Sequence, residues 1–186
     1  GGACTDDDVR VVRVDTTKHV SPDELVPMDK ETVGEVVIFA PNKSTFAYYD
    51  NPKTTEEKFH NGWLYTGDLA TWDEHAYITI IGRKDDMIVS AGENIYPVQV
   101  ESILNEHPKV AESLVFGIPD PKRGSVIAAL IRPSDPSLTE KEMKQFCMNH
   151  PMLAPYKRPR IFRFVKELPH NATGKLLHKL PPDFKF

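Results

Sequence analysis

The chain has 186 residues, a formal net charge of −4, 40% hydrophobic and 9% aromatic residues, as expected of a globular protein of one or two domains. Its apolar runs are too short for a membrane-spanning helix or a signal peptide, and its scattered basic residues carry no nucleic-acid signature. Cys4 and Cys147 make neither a disulfide framework nor a CxxC site, and the 7 histidines show no metal-ligand spacing. No metal site is expected, and a reducing, cytoplasmic setting is the default reading. The charge is uneven: residues 1–85 hold 9 Lys/Arg against 16 Asp/Glu, a net −7, and residues 86–186 hold +3. A mildly basic second half attracts phosphate-bearing ligands, although two domains with different surfaces explain the split as well.

Residues 9–14 (VRVVRV) have the β-branched character of a strand. Residues 21–31 are loop-like, and 33–39 (VGEVVIF) form a second strand that Pro41 ends. A short helix over 46–49 and a helical run over 54–59 follow; residues 62–68 then turn the chain. Residues 69–72 and 76–81 pair as a hairpin around Asp73, Glu74 and His75. The strand stops at Gly82, and two cations (Arg83, Lys84), two carboxylates (Asp85, Asp86) and the apolar Met87, Ile88 and Val89 come next. Charges packed between two apolar runs, without room for a long loop, mark a joint between domains, 1–84 and 85–186. Ser90, Ala91 and Gly92 make a small-residue turn in which glycine permits close backbone approach of a ligand.

Pro97 suits a helical first turn, and residues 97–106 place Val98, Val100, Glu101, Ile103 and Leu104 on a helix with an apolar face, stopped near His107 and Pro108. Residues 110–117 are a strand and 118–121 a turn. The nearly continuous apolar run 125–132 (SVIAALIR) reads as a central strand. Thr139 with Glu142 three residues on fits a capping box. Met143, Phe146 and Cys147 fall at i, i+3 and i+4, which makes Cys147 a core residue rather than a nucleophile. Pro151, Pro155 and Pro159 bracket a loop before a last strand over 160–165. The fold class expected is α+β: the end of a larger mixed-β domain, then a compact α+β domain with a central sheet and flanking helices.

Three stretches carry a resemblance: GWLYTGDL (62–69), GRKDDMIVSAGENIYPVQVE (82–101) and LPHNATGK (168–175). Their order, spacing and wording resemble the AMP-forming adenylating enzymes, which include acyl- and aryl-CoA ligases, luciferases and peptide-synthetase adenylation domains. The resemblance spans almost the whole chain and is strongest after Asn61. With glycine in first position and nothing like the family's phosphate loop or acyl pocket, the chain is expected to be the C-terminal part of a larger enzyme and inactive by itself. The family activity it implies is acid–CoA ligation. ATP and a carboxylic acid give an acyl-AMP, which passes to coenzyme A, with magnesium held mainly by the upstream part. The wording at 92–97 looks closest to bacterial fatty-acid and aryl-acid ligases, with a fatty acid as the first expectation. The alternatives are an adenylation domain serving a carrier protein, and a non-catalytic nucleotide- or CoA-binding module.

The resemblance also assigns residues. Lys175 is the mobile cation for the charge that develops on phosphate; the surrounding sequence is not a P-loop, because Pro169 and Leu176 stand where glycine and Ser/Thr are needed. Asp68 is placed on the ribose hydroxyls, since a carboxylate accepts two hydroxyl bonds, and Arg83 on the ribose or phosphate. Asp85 falls at the hinge position. Ser90, Ala91 and Gly92 line the tunnel for the pantetheine arm, with Ala91 where many relatives have glycine. Tyr156 and Arg158, beside Lys157 and Arg160, meet the CoA phosphates, and Arg123 stands where some relatives stack an aromatic on the adenine. The plain alternatives are a solvated surface lysine at 175, a turn aspartate at 68, and an ion pair of Arg83 with Asp85 or Asp86.

Overall fold

β-Branched residues set up the first sheet. In the computed structural model, which describes residues 8–40, 56–172, 174 and 176–178, β1 (Val9–Val12) pairs antiparallel with β2 (Gly34–Phe39), and β2 with β4 (Trp63–Trp72). β4 also pairs with β3 (Phe59–His60) and with β5 (Ile78–Arg83), completing a five-stranded sheet. The period-2 alternation sends Val11 and Trp72 to one small core and Val12, Val37 and Tyr65 to another. Two buried aromatics use their polar ends to tie the loop after β1 to the sheet: Trp72 Nε1 donates to Val26 O at 2.9 Å and Tyr65 Oη to Val20 O at 2.5 Å.

Residues 62–68 are not the turn the sequence suggests. The turn is confined to Asn61 and Gly62, both at positive φ (49° and 81°), and the ten residues of β4 follow as one strand. The helical run ends at Lys58, since Phe59 already pairs with Leu64; residues 46–49 and 54–55 lie outside the described residues.

The chain resolves into two compact units, Gly1–Asp85 and Asp86–Phe186, and passes from one to the next in a 3-10 turn over Lys84–Asp86. The second unit opens with a hairpin of β6 (Ile88–Ser90) and β7 (Glu93–Ile95), then α1 (Pro97–Leu104). β8 (Val110–Asp120) and β9 (Gly124–Pro133) are antiparallel, and after α2 (Glu140–Asn149) β10 (Ile161–Phe164) adds in parallel, so β9 is central. β8 runs through 118–120, and the turn is displaced to 121–123 before Gly124 (φ 75°).

The apolar run of β9 is explained by burial on both faces. Ile127, Ala129 and Ile131 join Val100, Leu104, Val115, Met143 and Phe162 in the main core, while Ala128 and Leu130 pack with Leu114, Phe116 and Leu168. Each large side chain so buried contributes about 1.5–3 kcal/mol. The Thr139–Glu142 capping box is formed in both directions. Cys147 is buried, and burial pushes its thiol up to about 11, which fits a core residue and not a nucleophile. The fold is α+β. Among the described residues no helix is long and apolar enough to cross a membrane.

Candidate functional site

In the first unit, Thr66, Gly67 and Asp68 form a bulge. Between the pairs Val37–Tyr65 and Glu35–Leu69, Val36 alone of β2 faces these three residues of β4. A bulge orphans backbone N–H groups that must find other acceptors, and here side chains supply them. Thr66 Oγ1 accepts from Asp68 N at 3.0 Å and donates to Val36 O at 2.8 Å; Glu35 Oε1 accepts from Gly67 N at 3.3 Å. Gly67 takes φ 73°, an angle that strains any L side chain, and a Cβ there would lie 2.7 Å from Lys58 Nζ and 3.3 Å from Arg83 Nη2, so these two flexible side chains would have to move.

The bulge aims Asp68 at its cross-strand neighbour Arg83. Arg83 Nη1 donates to Asp68 Oδ1, and both side chains remain more than a third exposed, at 40% and 37%. Arg83 is thus engaged by Asp68, whereas the sequence offered Asp85 or Asp86 as its ion-pair alternative. A half-open carboxylate beside a guanidinium provides acceptors for a diol and donors for an anionic group in one place.

In the second unit, Ser90, Ala91, Gly92 and Arg123 come together. Ala91 (φ 52°) and Gly92 (φ 85°) are the two central residues of a hairpin turn closed by Ser90 and Glu93. Ala91 N donates to Arg123 O at 2.8 Å, and the buried Ser90 hydroxyl donates to Ser125 O at 2.6 Å, so the two hairpin tips lean on each other. Nothing lies within 4 Å of a Cβ built on Gly92, so in this structure the glycine serves the backbone angle and not a crowded contact. Alanine at φ 52° is strained by roughly 1–2 kcal/mol. Ala91→Gly is therefore expected to stabilise the chain by about 0.5–1 kcal/mol, after the larger chain entropy glycine loses on folding. A denaturant midpoint that stays put or falls would contradict this.

Tyr156 and Arg158 are placed differently. Tyr156 sits in a 3-10 turn (Pro155–Lys157), half exposed, with Lys157 Nζ 5.9 Å from its ring centre. That loop enters β10 near the start of β9, where Arg160 N donates to Ile127 O at 2.9 Å. Arg158 caps α2: Nη2 donates at 3.2 Å to Met148 O, a carbonyl that the helix end leaves open, and Nε at 3.1 Å to Leu153 O in the loop beyond.

Lys175 and Thr173 lie outside the described residues. Their flanks are tied down. His170 bridges Leu176, Leu177 N donates to Pro169 O, and Gly174 N to Asn171 O, both at 2.9 Å. His170 Nε2 lies 2.9 Å from Glu112 Oε1, whose hydrogen bond raises the imidazole pKa. His178 Nε2 lies 3.0 and 3.1 Å from the two oxygens of Glu101, which is buried and also accepts from Val115 N at 2.7 Å. Sequence reasoning gave none of Glu35, Lys58, His170 or His178 a role. The one available signal was a glutamate on the apolar face of α1.

Residues 99–175 match the family of the AMP-binding enzyme C-terminal domain. The 2-succinylbenzoate–CoA ligase of Bacillus cereus (strain Q1) is 45% identical over 148 residues, covering 80% of this chain and 30% of that protein. The o-succinylbenzoate CoA synthetase of Bacillus subtilis, solved with its acyl-adenylate intermediate, superposes with a TM-score of 0.76 at 35% identity over 96% of this chain and 34% of that one. A Mycobacterium tuberculosis fatty acyl CoA synthetase gives a TM-score of 0.58 at 36% identity over 91% of this chain and 31% of its own. The chain thus spans about a third of the length of these relatives. It belongs to the AMP-forming adenylating enzymes, corresponding to their C-terminal portion, and the stretch that matches their C-terminal domain lies within its second unit.

Proposed function

We propose that the chain is the C-terminal portion of an ATP-dependent, AMP-forming acid–CoA ligase. A carboxylate oxygen attacks the α-phosphate of ATP and pyrophosphate leaves; the CoA thiol then attacks the acyl carbon and AMP leaves. The observation that carries the reading is the Asp68–Arg83 pair on the β4 bulge, half open to solvent. In it the carboxylate takes the ribose hydroxyls and the guanidinium the ribose or phosphate. Lys175 supplies the cation for the phosphate charge of the first step. Asp85, in the turn Lys84–Asp86, is the pivot between domains 1–84 and 85–186. Ser90, Ala91, Gly92 and Arg123 serve the CoA arm: the first three by the shape of the hairpin tip, Arg123 by its guanidinium. Tyr156 offers an exposed ring and Lys157 a cation to the CoA phosphates. Arg158 supports that loop through its bonds to Met148 and Leu153.

Among the described residues no three His, Cys, Asp or Glu side chains gather as a metal site, and magnesium is held mainly by the upstream part of the enzyme. For the acid, the wording at 92–97 looks closest to both fatty-acid and aryl-acid ligases, with a fatty acid as the first expectation. The Bacillus cereus ligase named for 2-succinylbenzoate, at 45% identity, and the Bacillus subtilis o-succinylbenzoate synthetase, with a TM-score of 0.76 against 0.58 for the fatty acyl CoA synthetase, favour an aryl acid. We place the activity in the reducing cytoplasm. The test incubates the whole enzyme, ATP and magnesium with 2-succinylbenzoate and with fatty acids of graded length, and measures pyrophosphate, then CoA thioester. Turnover on one acid class is expected, and none from the 186-residue chain alone. Pyrophosphate release by that chain, or no release by the whole enzyme with any acid, would overturn the reading.

A further inference from the structure

Glu35 is a carboxylate buried to 3% exposure inside the first unit, and nothing in the reaction above uses it. One oxygen accepts the Gly67 N–H at 3.3 Å; the other accepts from Lys84 Nζ at 2.7 Å. It thereby satisfies the backbone donor at the centre of the 66–68 bulge, which hydrogen bonding within the ladder leaves open. From there Asp68 is directed at Arg83. We infer that Glu35 is a positioning residue for the nucleotide grip: its carboxylate holds the bulge that sets the direction of Asp68. This rests on reading Asp68 and Arg83 as the ribose-binding pair.

Burial makes the obvious variant a poor test. Removing Glu35 alone strands the Lys84 charge, and breaking one side of a buried pair is strongly destabilising, whereas replacing both sides by apolar residues is often neutral. Two double variants of the whole enzyme separate the roles. Glu35→Met with Lys84→Met removes the ion pair and the acceptor for Gly67; Glu35→Gln with Lys84→Met removes the ion pair but keeps an amide oxygen for that N–H. The methionine pair is expected to raise the KM for ATP about tenfold, the scale of one lost hydrogen bond, with kcat changed much less. The glutamine pair is expected to restore the KM. Amide exchange at Gly67 of the whole enzyme should quicken in the methionine pair only. Equal KM values in the two variants would overturn the inference, since a purely structural ion pair is lost in both. Asp68→Ala is run in parallel. If it weakens ATP binding while the methionine pair does not, Glu35 alone is misassigned. If Asp68→Ala has no effect, the ribose-binding reading falls and this inference with it.

Discussion

Replacing Lys175 with alanine in the whole enzyme is expected to lower acyl-AMP formation by roughly 10²-fold or more, the usual cost of losing a preorganised group aimed at developing charge. Thioester formation from supplied acyl-AMP should be nearly unchanged, because adding that intermediate bypasses the step in which pyrophosphate is displaced from the α-phosphate, the step Lys175 is assigned to. The motive is the segment itself: Lys175 follows Gly174 (φ 79°) between two legs that His170 and His178 fix to Glu112 and Glu101. Single-turnover assays of each half-reaction, run at matched protein stability, decide it. Equal loss of both halves would assign Lys175 to folding or to a different step.

The second unit was legible in the sequence because its signals are redundant. Residues 125–132 are apolar at odd and even positions, and the structure buries both faces of β9. Thr139 and Glu142 announced the start of α2, and the capping box forms. Two of the misreadings share one cause, which is a backbone at positive φ. Gly67 inside GWLYTGDL suggested a turn, but a strand can hold such a glycine as a bulge when side chains take the freed N–H groups. Ala91 hid the β6–β7 hairpin, because Ala-Gly lacks the usual Asn-Gly or Asp-Gly signature of its turn.

The candidate site was legible only through its motifs. Asp68 and Arg83 were found by resemblance, and their direct pairing depends on the register of β4 against β5. Glu35 went unread: it lies 32 residues from Gly67 and 49 from Lys84, and an isolated glutamate in a strand gives no sign of pointing inward. Arg158, assigned to the CoA phosphates by resemblance, has bonds to Met148 O and Leu153 O that no sequence pattern signals.

Asp85→Pro is expected to leave one half-reaction working and to abolish the other. Asp85 is the middle residue of the 3-10 turn Lys84–Asp86, where the chain passes between its two units. Proline there fixes φ near −65° and removes a backbone N–H. It also disfavours helical angles at the preceding Lys84, so the turn seen here becomes the costlier state. Lys84 is tied to buried Glu35 at 2.7 Å, which keeps the residue before the pivot with the first unit and concentrates any rotation in the next few bonds. A pivot needs a few element-end residues free to change φ and ψ. If adenylation and thioester formation use two settings of that pivot, fixing one setting spares one reaction and blocks the other. Each half-reaction is measured alone, with thermal melting to confirm that the variant folds. Two unimpaired half-reactions would show that residue 85 is not the pivot, and loss of both in a folded variant would show that both reactions need the same setting.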